Sequence, residues 1–92
     1  MSQPANIDPR WRPALRRGVV LRHDNRRNAD LLVMPERVAV LNTTAAEILA
    51  LSNGRRSVDE VVTDCRARYE QGFTAGDVLR FLAAARDHGW LV

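Results

Sequence analysis

Catalysis and metal binding need reactive side chains in sets, and this 92-residue chain offers few. Its two histidines, His23 and His88, stand far apart, and Cys65 is its one cysteine. A metal site draws on Cys, His and carboxylates at short spacing, and His23 has no such neighbours, so it reads as a surface residue. Cys65 has no histidine spaced to activate it as a nucleophile and falls within an apolar helical stripe, the setting of a small buried hydrophobe. His88 near a helix C-terminus reads as a dipole partner. Asp59, Glu60 and Asp64 lie at a helix start and along its polar face, without the partner or pocket that acid–base catalysis requires. There is no glycine-rich phosphate loop and no Ser/His/Asp set. Without a Cys/His metal cluster or a catalytic set, the residues read as a binding module rather than an enzyme.

What remains is charge. All 14 basic residues are arginine, and the net charge is +3. Residues 1–37 hold eight arginines against four acids, and residues 38–92 six against seven. The basic character sits on the N-terminal tail and first strands. Arginine is the better residue for bidentate contact with carboxylates and phosphates, so an acidic partner, peptide or nucleic acid, stands beside a plain solvated surface as the reading. A single cysteine excludes an internal disulfide and suits a reducing, cytoplasmic setting. No apolar run approaches the ~20 residues of a membrane span, and MSQPANIDPRWRP lacks the apolar core of an export signal.

The elements that must position any binding surface centre on Leu31–Gly54, LLVMPERVAVLNTTAAEILALSNG. Leu31–Met34 is a strand-length apolar run, and Pro35-Glu36 breaks it because proline has no N–H for a ladder. Arg37–Asn42 is a second strand. Thr44–Glu47 fits a capping box for a helix that Asn53-Gly54 stops. Upstream, Pro4, Pro9 and Pro13 mark Met1–Pro13 as a tail or extended arm, which Ile7 and Trp11 can tack to the body. Residues 14–92 form one domain, beginning with a strand over Leu15–His23 and a polar turn at Asp24–Asn28. Downstream, Ser57–Glu60 caps a helix whose Val58, Val61, Val62, Cys65 and Tyr69 form one stripe, ended by Gln71-Gly72-Phe73. Thr74, with Asp77 in the first turn, caps a third helix buried through Val78, Leu79, Phe81, Leu82 and Ala85. His88-Gly89 stops it, and Trp90-Leu91-Val92 folds back onto the core. The order predicts an α+β, winged-helix-like domain: a three-stranded antiparallel sheet followed by a three-helix bundle.

Two binding modes compete. A winged helix often binds DNA, but Thr74–His88 sets Asp77 and Asp87 against Arg80 and Arg86 and brings no net charge to a phosphate backbone. It has no Asn, Gln or Lys to read base edges. The alternative is β-augmentation, in which an extended peptide pairs with an open sheet edge. The edge is then Arg37, Val38, Ala39, Val40, Leu41 and Asn42. Val38, Val40 and Leu41 on the strand, with Leu79 and Ala83 on the third helix, are candidates to line apolar pockets between strand and helix. Arg37 and Arg80 could pair with acids on the peptide and set its register. An unfilled edge also invites pairing with a second copy, or exchange of the N-terminal arm, so the chain is expected as a monomer or such a homodimer.

The stretch LLVMPERVAVLNTTAAEILALSNG, then SVDEVV and DVLRFLAAARDHGWL, resembles the PqqD family of pyrroloquinoline quinone (PQQ) biosynthesis. Pro35-Glu36, Leu41-Asn42-Thr43, Ile48-Leu49, Gly54, Asp77-Val78 and Phe81-Leu82 stand where that pattern places them. Ser52-Asn53 departs from the Cys-Asp common there. The resemblance covers residues 10–92. It implies a non-catalytic peptide chaperone without a cofactor of its own. Such a chaperone binds the precursor peptide PqqA and presents it to the radical S-adenosylmethionine enzyme PqqE. It also implies that the peptide adds as a strand beside Arg37–Asn42 and against the facing side of Asp77–Arg86.

Overall fold

A computed structural model describes residues 7–68 and 74–92. Three strands, β1 (Val20–Asp24), β2 (Ala29–Val33) and β3 (Val38–Leu41), form an antiparallel sheet in the order β1-β2-β3. Helices α1 (Thr43–Leu51), α2 (Val58–Arg68) and α3 (Ala75–Asp87) follow. This is the α+β order anticipated from the residues.

The first strand is shorter and later than Leu15–His23. Gly18 adopts φ +89, in the left-handed region, and the Arg17-Gly18 turn redirects the chain ahead of Val20. Ala14 and Leu15 instead bridge Asn53 and Leu91. The second strand starts two residues before Leu31 and ends at Val33. The β1–β2 hairpin turns through Asn25–Asn28, with Asn28 at φ 51, a conformation that asparagine tolerates better than most residues.

The first helix is capped by Asn42, not by Thr44. Asn42 keeps an extended backbone, and its side-chain oxygen accepts the Ala45 N–H at 2.7 Å. Thr44 is therefore already inside the helix, and Glu47 reaches Arg68 on α2 at 3.3 Å. The helix ends at Leu51; Ser52 closes it, its hydroxyl donating to the Ile48 carbonyl, and Gly54 takes φ +82 just beyond. The other two starts follow the anticipated chemistry. Ser57 and Glu60 exchange hydrogen bonds of 2.8 and 3.2 Å ahead of α2. Thr74 and Asp77 form a full capping box ahead of α3. Tyr69 and the expected Gln71-Gly72-Phe73 stop lie outside the described residues.

The core gathers Leu32 from the sheet, Ile48 and Leu49 from α1, Val58 and Val61 from α2, and Val78 and Leu82 from α3. Helix α1 touches all three strands and both other helices. Residues 7–16 are docked. The Trp11 carbonyl accepts the Val58 N–H, Pro13 accepts from Gly54, and Ala14 exchanges bonds with Val92. The Trp11 indole donates to the Val92 carbonyl at 3.1 Å, and the Arg86 guanidinium lies 5.2 Å above its ring.

Trp11 thus ties the N-terminal arm, the start of α2 and the C-terminus together. Fully buried aromatics cost ~3–5 kcal/mol on truncation to alanine, so half-buried Trp11 should cost about 1–3 kcal/mol. We expect Trp11→Ala to lower the melting temperature by roughly 4–8 °C per kcal/mol lost. A thermal melt checks it, and an unchanged midpoint would show the arm to be loosely attached.

Candidate functional site

The site is built from the hydrogen-bond register of β3. The Met34 N–H donates to the Arg37 carbonyl at 2.8 Å, so Met34 and Arg37 form a hydrogen-bonded pair across the hairpin. In an antiparallel ladder such pairs alternate with non-bonded ones. The register sets Val33 opposite Val38, Leu32 opposite Ala39, Leu31 opposite Val40 and Asp30 opposite Leu41. Ala39 and Leu41 therefore spend their main-chain groups on β2. Val38 and Val40 turn theirs the other way. No further strand flanks β3 among the described residues. The edge offers two N–H donors and two carbonyl acceptors, all from two valines.

Side chains alternate in step. Leu41 points inward and is core, at 9% exposure, and Ala39 is half-buried beside it. Val38 and Val40 point to the outer face of the sheet and are 55% and 74% exposed. This corrects the expectation that Val38, Val40 and Leu41 line pockets between strand and helix. The first two face away from the helices, and the third is already buried within the fold. Arg37 and Asn42 lie outside the strand: Arg37 is exposed at the hairpin turn, and Asn42 caps α1.

The other element of the expected groove is α3. It packs on α1 and α2, and among the described residues makes no close backbone approach to β3. A separation between β3 and α3 is left, with α1 touching both. Leu79 is partly buried against the core, Ala83 half-buried and Arg80 exposed. The Arg80 guanidinium bonds the Asp77 carboxylate at 2.6 Å on its own helix. That carboxyl is held below its ordinary value. The Thr74 N–H is the main cause, then the Thr74 hydroxyl, with Arg80 adding to them.

Other reactive groups stay apart. Cys65 is buried, and burial, with Asp64 beside it, pushes its thiol up, away from nucleophilic character. His23 bonds Asp30 across the β1–β2 hairpin at 2.8 Å, and His88 stacks on Trp90 with ring centroids 5.1 Å apart. A cavity of about 230 Å³ beside α2 is lined by Arg56, Asp59, Glu60, Thr63 and Asp64, where Arg56 already pairs with Asp64 at 2.9 Å. No group of three metal-ligating side chains occurs among the described residues, and none of their helices is long and apolar enough to cross a membrane.

The family described as Coenzyme PQQ synthesis protein D (PqqD) matches residues 31–91. A PqqA binding protein of Azotobacter vinelandii is 38% identical over 80 residues, covering 86% of this chain and 87% of that one. A PqqA binding protein of Klebsiella pneumoniae is 37% identical over 79 residues, covering 85% and 86%. Among solved structures, the chain is similar to the PqqD truncation of Methylobacterium extorquens PqqCD, solved by solution NMR. The TM-score is 0.76 at 31% identity, and 97% of each chain is covered. That truncation represents a functional, stand-alone recognition element for ribosomally synthesized, post-translationally modified peptides.

Two outcomes follow from this geometry. In the free protein, amide protons of Val38 and Val40 should exchange with solvent faster than those of Ala39 and Leu41, giving a period-two pattern by NMR hydrogen exchange. Uniform protection along the strand would mean that the edge is covered. The second concerns Asp77. A carboxyl with a lowered folded value adds stability that is present above its unfolded range and lost as pH falls through the folded one. Melts of the wild type and Asp77→Asn should differ most near neutral pH and converge in acid. A constant gap at all pH values would contradict the capping role.

Proposed function

Because the chain belongs to the PqqD family, we propose that it is a non-catalytic binding protein of PQQ biosynthesis that takes up the precursor peptide PqqA as an added strand beside β3. The observation that carries this reading is the pair of outward-turned main chains at Val38 and Val40. A guest strand would complete both. In this reading Arg37, Val38, Ala39, Val40, Leu41 and Asn42 form the receiving edge, and Leu79, Arg80 and Ala83 line the α3 side. Arg37 would meet an acid on the guest, whereas Arg80 would first have to leave Asp77 or share it.

Magnitudes say what the edge alone can do. Four main-chain hydrogen bonds at a net ~0.5–1.5 kcal/mol each give about 2–6 kcal/mol. Micromolar binding needs about 8 kcal/mol, and ordering an extended peptide costs a further ~2–5 kcal/mol. Side-chain burial must supply the difference, so the flanks of the edge matter as much as its amides. The complex would then be the form handed to the partner enzyme PqqE, whose chemistry needs no cofactor from this chain. The buried lone thiol suits a cytoplasmic setting. An unfilled β3 would also favour self-pairing, which the guest should displace.

Proline scanning separates edge from ladder. The Val40 N–H faces outward, so Val40→Pro removes a guest bond and leaves the β2 ladder intact. The Ala39 N–H belongs to the ladder, so Ala39→Pro should unfold or strongly destabilise the sheet. We expect folded Val40→Pro to bind PqqA about tenfold more weakly or worse by titration calorimetry. Wild-type affinity in that variant would remove β3 as the receiving strand.

A further inference from the structure

The outer face of the sheet carries two cross-strand rows. Val20, Val33 and Val38 make one, and Arg22, Leu31 and Val40 the other. Exposure within the first row is 45% at Val20 and 55% at Val38, and the second row ends on Val40 at 74%. Both rows thus finish on an uncovered valine at the open edge. Exposed edges are normally blunted by lysine, proline or a bulge. Val38–Leu41 has none of these. The same two residues also carry the free main-chain groups. Any strand that bonds to them must set its own outward side chains beside theirs, whichever way it runs, because side chains alternate along both partners.

We propose that Val38 and Val40 are specificity-determining residues that select apolar, β-branched or aromatic side chains at two guest positions two residues apart, on the face of the sheet turned away from α3. The occupant is the guest strand itself, since the patch is continuous with the edge that receives it and shares its residues. This rests on the strand-addition reading and deepens it. The guest residues would become the fourth members of the two rows, covering the valine flanks that the fold leaves in water. The guest residue between them would face α3 beside Ala39 and be read by other contacts. An amphipathic, period-two guest whose outward residues are charged would satisfy the amides and still bind poorly.

The test combines protein variants with a serine scan of the PqqA peptide, read by fluorescence anisotropy on the full chain. V38T/V40T keeps shape and strand propensity while replacing a methyl by a hydroxyl at each site. It should weaken wild-type peptide roughly five- to twenty-fold, the scale of two cross-strand pairs. Serine at two peptide positions spaced by two should weaken binding to the wild-type protein and cost little more against V38T/V40T. Serine at the intervening position should cost the same against both proteins. Val40→Ile, which adds apolar surface without touching the ladder, should tighten binding and guards against misfolding of the threonine variant. If V38T/V40T binds within twofold of wild type while Val40→Pro loses the peptide, the outer face does not select, although the edge still receives. If Val40→Pro also binds normally, the strand-addition reading itself fails. If V38T/V40T only dissociates a dimer in sedimentation, with peptide affinity unchanged, a second copy covers the valines and the proposal is overturned.

Discussion

The open strand is held in shape by the residue where it becomes a helix. Leu41 ends β3 buried against the core, Asn42 caps α1, and Thr43 is already helical. No loop lies between them. A strand at a sheet edge is supported on one side only, and a four-residue strand contributes few ladder bonds of its own. Here its far end is fixed to the one helix that touches every other element. Five of the nine residues of α1, namely Ala45, Ala46, Ile48, Leu49 and Leu51, are buried. The small residues Ala45 and Ala46 let neighbouring elements close around its first turn. Rigidity at Val38 and Val40 is therefore borrowed from the interior, which would keep the entropy lost on the proposed guest binding low on the protein's side.

The same constraint bears on why the proposed guest is assigned to β3 and not to β1. Both are outer strands of the sheet. By the ladder's alternation, β1 turns the main chains of Leu21 and His23 outward. Arg22, His23 and Asp24 lie along it, and His23 and Asp24 are engaged with Asp30 and with the turn amide of Arg26. Charged and polar side chains of this kind discourage pairing. β3 carries only valine, alanine and leucine. Two edges of one small sheet thus differ in how hospitable they are, and the difference lies in side chains that the fold itself does not need.

Much of this was legible from local chemistry. The Ser57/Glu60 and Thr74/Asp77 boxes involve residues three apart, so pattern and structure coincide. The first helix start is ambiguous in the sequence because Asn42, Thr43 and Thr44 can all cap, and only the packing of Leu41 decides where strand gives way to helix. LRRGVV looks continuous, but the strand begins only at Val20, because Gly18 takes a positive φ and Ala14 and Leu15 bridge Asn53 and Leu91, 39 and 76 positions away. The direction of Val38 and Val40 was unreadable for a different reason. Four consecutive apolar residues carry no alternation, so the face turned to water can be told only from the register with β2.

That ambiguity is informative in itself. A strand buried on both faces and a strand waiting for a partner share one composition, since both must meet apolar surface on each side. In this chain the inward half of that surface, Leu41 and Ala39, is met by the fold, and the outward half is not. A domain of this size buries only about 60–65% of its unfolded surface and has little stability to spare. Leaving two valines and four main-chain groups uncovered is then a real cost to the free state. A guest present at a hundred times its dissociation constant would return about 2.7 kcal/mol by linkage alone, a large share of such a domain's stability. In the strand-addition reading, recognition and folding are one problem for this sheet: the stability that the unfilled edge withholds from the free protein becomes available when a strand of the right pattern arrives.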